Sequence, residues 1–390
     1  MNKSKALMAL TQAALALPGV ARADVSVDYL FSDYEEADLP AAHAASGQSS
    51  ERYSIQSHLL RVVAPVWQQK LGMTLTYETM SGASPWFVMP GPDGRPLQVM
   101  SGATIDEQRV DLQGTMTLPT SVVDSAITLG VSTEDDYRSL HGGVEVTRED
   151  DDKMTSLTGG LSYSHDRLEP TEGGSTRFPD RIRGADKDTL SAYAGLTRVL
   201  TPTTEVQFGF SYQHGDGYLT DPYKMVYVVS TATTYNESRP DGRNTYAITA
   251  RLRQAVPSLA AAIHADYRYY RDDWKIESHT VEASWQQTFG EHWRVAPGVR
   301  WYSQSQAFFY SAYFPDFRHD GFASSDYRLA PFGALSGRLD VTYKLQNWAF
   351  GIGGEYYDAD ADYAIRSVKV ENPALVEYWS VQLRIAHEFK

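Results

Sequence analysis

Charged side chains recur at every second position in several segments of this sequence. Arg251 and Arg253 are two residues apart, and Asp266 and Arg268 repeat the spacing. Because side chains alternate between the two faces of a β-strand, this spacing places such residues on one face. The candidates for a shared polar lining are Arg251, Arg253, Arg268, Arg294, Arg300, Arg338, Asp266, Glu282, Asp340 and Glu355.

Arginine and carboxylate groups on one lining can do two kinds of chemistry. They can neutralise one another as cross-strand ion pairs that shape or partly fill an interior. They can also form an arginine constriction, on strands near 251, 268, 294 and 300, that would favour anionic solutes. Over the whole predicted lining the two signs are balanced at about nine each, whereas a selective pore more often has a ring of one sign. The balance favours ion pairs, and the constriction stays the alternative.

A second group of candidates lies in polar segments that contain Gly and Pro. Such residues enforce tight turns, so one interpretation is loop architecture. The other is a folded-in loop or lid that narrows a pore, docks a partner or meets a ligand, because long loops often carry function. These loop candidates are Ser81, Gly82, Ser84, Pro85, Ser101, Gly102, Asp221, Pro222, Tyr223, Lys224, Arg239 and Arg243.

Signals for catalysis and for cofactors are weak. His279 and Ser303 are predicted to lie nearly opposite one another on an outer face, where they could act as base and nucleophile, but no third orienting group is evident. The acidic runs at 134–136, 149–152 and 358–362 suit a hard cation, yet none has the spacing of an EF-hand. The sequence has no Cys and no H-E-x-x-H. We therefore expect no enzyme activity, no metal and no cofactor.

The elements that must position these residues are strands. Trp379, Val381 and Leu383 alternate with Ser380 and Gln382, which is the period of a strand with one apolar and one polar face. Short turns such as Gly290-Glu291, Pro257-Ser258 and Gln346-Asn347 join similar segments into hairpins.

Seven hairpins, a first strand near 24–32 and a last strand near 376–390 make about sixteen strands. The long connections all fall at the other end from the short turns, the asymmetry typical of outer-membrane barrels. The predicted long loops are about 33–51, 81–107, 166–188, 216–242, 309–331 and 361–375. The sequence therefore predicts an all-β fold: a transmembrane, antiparallel, up-and-down β-barrel of the outer-membrane type.

The N-terminal segment has the features of a signal peptide. Lys3 and Lys5 precede an apolar stretch at 6–17, and Ala21-Arg22-Ala23 is a small-x-small cleavage site. We expect a signal peptide at 1–23 and a single barrel domain at 24–390, delivered to the outer membrane of a Gram-negative bacterium. Removal of the signal takes the formal charge from −14 to −17, which argues against nucleic acid as a partner.

Certain loop strings are more specific than the alternation. They include 78–85 (ETMSGASP), 100–105 (MSGATI), 217–224 (GYLTDPYK) and 239–243 (RPDGR). Together they resemble an uncharacterised family of proteobacterial outer-membrane proteins known as domain of unknown function 3570. The resemblance covers the whole predicted barrel and implies a setting with a small lipoprotein or a thioredoxin-like protein as partner. Outer-membrane lipid and the barrel assembly machinery are the partners that any such barrel implies.

Two functions remain open at this point. The first is a channel or porin for a small polar or anionic solute, which is favoured because about sixteen strands is near the size that leaves an aqueous lumen. The second is a structural barrel, without enzyme activity, that anchors or displays a small lipoprotein or a periplasmic redox partner.

Overall fold

The computed structural model describes residues 25–67, 69–101, 105–120 and 122–389, and the predicted signal peptide lies outside them. The described chain folds into twenty β-strands and four short 3-10 helices. No described helix is long and apolar enough to cross a membrane.

Sixteen of the strands form one closed antiparallel barrel. In chain order the barrel strands are β1 (Val25–Glu36), β2 (Ser54–Val66), β3 (Gln69–Gly82), β6 (Ile105–Pro119), β7 (Asp124–Thr133), β8 (Tyr137–Glu149), β9 (Thr155–Leu168), β10 (Ala185–Thr201), β11 (Thr204–Gly217), β14 (Gly242–Val256), β15 (Ala261–Asp272), β16 (Glu277–Phe289), β17 (Trp293–Gln304), β18 (Phe332–Leu345), β19 (Trp348–Asp360) and β20 (Glu377–Phe389). The other strands form two small hairpins, β4 (Pro85–Pro90) with β5 (Pro96–Met100), and β12 (Met225–Val228) with β13 (Thr233–Asn236).

Every barrel strand pairs with the barrel strands before and after it in the order given above, and β1 pairs with β20 to close the cylinder. The closing register is continuous from Val25 opposite Phe389 to Glu36 opposite Tyr378. Closure leaves no barrel edge with unpaired N–H and C=O groups, a requirement in hydrocarbon. The predicted fold class and strand number are confirmed, and β1 extends beyond its predicted end, through Glu36.

Alternation of side chains gives the barrel an apolar outside and a polar inside. On β20 the outward residues Trp379, Val381 and Leu383 are 60%, 44% and 45% exposed, whereas the inward Ser380 is buried. Outward aromatic rings also contact one another near both ends of the wall, Tyr356 with Trp379 and Trp293 with Tyr343. Aromatic girdles at two levels are typical of the headgroup zones that flank a bilayer core.

The two ends of the barrel differ in their connections. At one end, seven turns of a few residues join the strands, as the sequence predicts. At the other end six long connections lie at 37–53, 83–104, 169–184, 218–241, 305–331 and 361–376, together with two tight turns at 134–136 and 273–276. In outer-membrane barrels the end with long loops faces the cell exterior.

The long connections pack together as a cap over the mouth of the barrel. A buried apolar cluster that includes Trp274, Ile276, Phe309 and Leu329 joins the connection at 305–331 to the rim of the wall. The bridge between Ala44 and Gln98 links the first long connection to the β4–β5 hairpin. The main apolar core therefore lies in the cap, because the barrel wall presents its own apolar face outward.

Candidate functional site: a lumen under a loop cap

The ten predicted lining residues all occupy inward positions of barrel strands. Three ion pairs connect them. Arg253 donates to Asp266 at 3.0 Å, Arg300 Nε lies 3.2 Å from Glu282, and Arg338 lies 3.9 Å from Asp340. Further inward pairs elsewhere in the lumen join Arg109 to Glu78 at 3.0 Å, Arg384 to Asp28 at 2.9 Å and Lys187 to Asp166 at 2.7 Å. Cross-strand ion pairs are thus one component of the lumen.

Three of the predicted lining arginines have no ion pair with a described residue. Arg251, Arg268 and Arg294 lie on β14, β15 and β17, and all three are exposed. Their exposure inside the barrel means that water reaches this part of the lumen. An arginine without a carboxylate keeps its full positive potential, so this wall is able to attract anions.

The two signs of charge are separated around the lumen. Inward basic residues on β14–β18 are Arg243, Arg251, Arg253, Arg268, Arg294, Arg300, Arg338 and Lys344, whereas inward acids there are only Asp266, Asp272, Glu282 and Asp340. Acids dominate the inward positions of the opposite wall, on β3–β9, with Glu78, Asp111, Glu145 and Asp166 among them. The balance of signs predicted from the sequence therefore conceals a basic wall and an acidic wall.

A tyrosine cluster lines the lumen near the cap, and sequence reasoning missed it. Tyr357 and Tyr378 stack with ring centroids 4.7 Å apart and an interplanar angle of 13°, and Tyr34 lies 4.7 Å from Tyr378. The Arg300 guanidinium lies 5.7 Å from the centroid of the Tyr302 ring. The alternation of side chains could have revealed the cluster, because each of these tyrosines lies on the polar face of its strand.

The loop candidates around residue 84 form the base of the β4–β5 hairpin. Ser101 N donates to Ser84 O at 2.8 Å, and Ser84 N donates to Ser101 Oγ at 3.0 Å. Ser81 and Gly82 end β3, and a Cβ on Gly82 would lie only 1.9 Å from the Arg52 carbonyl oxygen. Gly82 also has a φ of +119°, so glycine is required there. Gly102 lies outside the described residues.

A buried ionic network ties the connection at 218–241 to the connection at 305–331. Asp326 accepts a hydrogen bond from Arg239 at 2.8 Å, and Asp221 accepts one from Arg328 at 2.9 Å. Arg239 also bonds Glu237. Burial alone would raise the pKa of Asp326, but the Arg328 guanidinium beside it holds that pKa well below its ordinary value. These buried ion pairs link the two connections.

Lys224 extends this network to the β4–β5 hairpin. Its ammonium group donates to Pro85 O and lies 3.5 Å from Ser84 Oγ. Burial lowers the pKa of Lys224, and the nearby Asp326 carboxylate opposes that effect. Pro85, Lys224 and Asp326 line one small cleft with Tyr327. Three long connections therefore meet at Lys224.

The remaining loop candidates hold the cap to its surroundings. Pro222 lies in the turn in which Tyr223 N donates to Asp221 at 3.1 Å. The Tyr223 hydroxyl accepts from Thr171 N at 3.0 Å, which joins the cap to the connection at 169–184. Arg243 donates to Asp272 at 2.9 Å and lies 4.2 Å from the Trp274 ring centroid. Each of these contacts fits the loop-architecture interpretation.

The outward pair His279 and Ser303 are direct register partners, as the sequence suggests. Their polar atoms have other partners, however. His279 Nδ1 is 2.8 Å from the Tyr267 hydroxyl, and Ser303 Oγ accepts from Ile365 N at 2.9 Å. Within the described part of the chain, no group of three or more His, Asp or Glu side chains could hold a metal ion.

These features define the class of the protein as a sixteen-stranded barrel of the outer-membrane type, with a polar lumen and a capped mouth. The chain belongs to the family described as protein of unknown function (DUF3570), whose model matches residues 7–370. No curated protein matches its sequence.

Three solved structures with similar folds are distant in sequence. A bacterial polysaccharide outer membrane secretin is 10% identical with a TM-score of 0.48, covering 95% of this chain and 100% of its own. Outer-membrane expressed OmpT of Vibrio cholerae is 9% identical with a TM-score of 0.43, covering 95% and 99%. The siderophore receptor PirA from Pseudomonas aeruginosa is 11% identical with a TM-score of 0.41. The match covers 87% of this chain but only 57% of PirA.

Proposed function

We propose that this protein is an outer-membrane channel of a Gram-negative bacterium that passes small anionic solutes. The observation that carries the proposal is the group of three exposed lumen arginines, Arg251, Arg268 and Arg294, that have no ion pair with a described residue. They lie on the wall where inward basic residues outnumber acids. Sixteen strands also give a barrel wide enough for an aqueous path.

The test is the ion selectivity of single channels. Purified barrel in a planar bilayer under a KCl gradient should have a reversal potential that reports preference for chloride. The triple variant Arg251→Gln, Arg268→Gln, Arg294→Gln should lose most of that preference, because the unpaired positive charges are removed. The conductance steps themselves should persist.

Arg271 offers a matched control. It lies near the loop end of β15, faces outward and has a side chain that is 66% exposed, near Glu277. Arg271→Gln should leave the selectivity unchanged. A wild-type barrel that prefers potassium, or that gives no conductance steps, would contradict the proposal.

A second candidate function is a barrel that anchors or displays a small lipoprotein or a thioredoxin-like partner. An exposed apolar patch on the cap favours it, since Tyr235 and Phe317 are 38% and 55% exposed with ring centroids 4.8 Å apart. Crosslinking in native membranes should then recover a companion from wild-type protein and less from Phe317→Ser. Recovery of the barrel alone would contradict this second function.

A further inference from the structure

The tyrosine cluster and the cap enclose one region of the lumen. Tyr34, Tyr302, Tyr357 and Tyr378 come from four barrel strands, and Tyr327 descends from the cap. Tyr34 and Arg52 both donate to Glu36, and the Arg52 guanidinium lies 5.4 Å from the centroid of the Tyr327 ring, so Tyr327 lies near Tyr34. The Arg300 guanidinium lies beside Tyr302. All five tyrosines are partly exposed, and the four on barrel strands occupy inward positions.

Three hydroxyl groups of this cluster have no hydrogen-bond partner in the described chain. They belong to Tyr327, Tyr357 and Tyr378. The other two are engaged, because Tyr34 donates to Glu36 at 3.0 Å and Tyr302 donates to Gln304 at 2.6 Å. A phenol hydroxyl both donates and accepts, so three unengaged hydroxyls around one region are ready to bind a solute rich in hydroxyl groups.

Two guanidinium groups beside the cluster also have an unmatched donor. Arg300 Nε and Arg52 Nη2 are buried without a hydrogen-bond partner among the described residues. Arg300 lies close to Glu282 without an aligned hydrogen bond to it, and Arg52 lies 5.4 Å from the centroid of the Tyr327 ring. A buried donor without an acceptor is unfavourable. The Arg52 side chain is only 2% exposed and bonds Glu36, so Arg300, whose side chain is 36% exposed, is the guanidinium that a solute in the lumen can contact.

The chemistry of the site selects among ligand classes. A neutral sugar would engage the hydroxyls but would bring no carboxylate to the exposed part of the Arg300 guanidinium. A plain aromatic acid would satisfy a guanidinium but leave three phenol hydroxyls unmatched. A solute that carries both several hydroxyls and a carboxylate matches both sets of groups, and its flat apolar edges can rest on the tyrosine rings.

We propose that the tyrosine cluster and Arg300 form a binding site for a small polyhydroxylated carboxylate, such as a hexuronate. This inference rests on the proposed anion channel and names its solute class. The site lies directly beneath the cap, so the solute is captured near the outer mouth before it meets Arg251 and Arg294 on the basic wall. Arg300 holds the carboxylate, and the free phenols hold the hydroxyl groups.

Isothermal titration of the purified full-length barrel in detergent tests the site, with glucuronate as the probe. Glucuronate should bind, and glucose and benzoate should bind at least about tenfold more weakly, since each lacks one of the matched groups. Tyr357→Phe keeps the ring and removes the hydroxyl, so it should weaken glucuronate about three- to tenfold. Arg300→Gln should weaken it by more, about tenfold or above.

Tyr343→Phe is the matched control, because Tyr343 lies on the lipid face beside Trp293 and should leave binding unchanged. Each variant is first checked for the mobility shift of a folded barrel on unheated gels, and Tyr378→Phe replaces Tyr357→Phe if the latter does not fold. No binding of glucuronate, equal binding of glucose, or full affinity in the phenylalanine variants would overturn the site.

The titration does not depend on conduction, so the two proposals can fail separately. Binding of glucuronate by a barrel without conductance steps would support the site and contradict the channel. Anion-selective conductance with no binding of glucuronate would support the channel and overturn the site.

Discussion

Arg251 and Arg253 illustrate what decides the charge of a lumen at the scale of single residues. Asp266 stands directly opposite Arg251 in the register of β14 and β15, yet both of its oxygens bond Arg253, two residues along. One carboxylate satisfies one guanidinium, and the neighbouring arginine is left facing water. Alternation in the sequence places all three residues on one face, but it cannot assign the pair, because diagonal contacts depend on register and side-chain direction.

The tyrosine cluster shows a second limit at this scale. Tyrosine suits both the lipid-water boundary and a polar interior, so its identity alone does not assign it a role. Alternation along the strands places Tyr302 and Tyr357 inward. The distances between the tyrosines depend on the curvature of the barrel and on how the connection that carries Tyr327 packs into its mouth. Neither the curvature nor the packing of this connection can be read from the sequence.

The buried carboxylates of the cap predict how its stability depends on pH. The pKa values of Asp221 and Asp326 lie below their ordinary value of 3.8, because Arg328 holds them charged against the effect of burial. A carboxylate with a depressed folded pKa stabilises the fold above its unfolded pKa and loses that contribution as pH falls through the folded value. The near-UV circular dichroism of the cap aromatics should therefore be constant from neutral pH to about 4 and decline only below it.

Asp93 provides the control for this experiment. It pairs with Arg95 at an exposed hairpin tip, so Asp93→Asn should leave the acid profile unchanged. Asp326→Asn should weaken the cap already at neutral pH, since it leaves buried arginine charge uncompensated. A loss of the aromatic signal centred above pH 5 in the wild type would contradict this assignment.

At the scale of elements, the strands could be predicted well and the cap could not. Each barrel strand meets two contrasting solvents, lipid and water, so its alternation is strong over the whole length of an element such as β20. The two small hairpins and the docking of the connections depend on contacts between distant residues, of which Lys224 with Pro85 is an example. Nothing local in residues 85–100 specifies that partner.

The two faces of β20 predict that the same new charge is costly at one position and mild at the next. Leu383 lies near the middle of the strand and faces outward, so Leu383→Arg should cost about 2–4 kcal/mol of folding free energy in a bilayer. Gln382→Arg places the charge in the lumen and should cost much less. Reversible folding into lipid vesicles with denaturant titration measures both. Equal tolerance of the two changes would mean that the faces are reversed.

At the scale of the whole molecule, the difference between the two ends predicts an orientation. The protein has no Cys, so a single introduced cysteine is the only thiol in the chain. Lys369→Cys lies in an exposed position of a long connection, and Glu291→Cys lies in an exposed short turn at the other end. On intact cells a membrane-impermeant maleimide should label the first and not the second, because long loops face the exterior.

Both cysteine variants should be labelled after the cells are permeabilised, which confirms that each thiol is reactive. Labelling of Glu291→Cys alone on intact cells would place the cap in the periplasm and would contradict capture of solutes at the outer surface.

The seam between β1 and β20 sets the order in which the molecule can form. Arg384 bonds Asp28 across 356 residues of sequence, and the register between these strands is continuous from Val25 to Glu36. Contacts of such long range are slow to form. The intervening chain must lose conformational entropy before the contacts between its ends can stabilise the fold. The second edge of the first strand, β1, can pair only after the last strand, β20, is available. Until then the sheet has two unpaired edges, which are prone to aggregation. We therefore expect ring closure to limit the folding speed of this protein, and an added peptide with the β20 sequence should stall assembly by occupying the edge of β1.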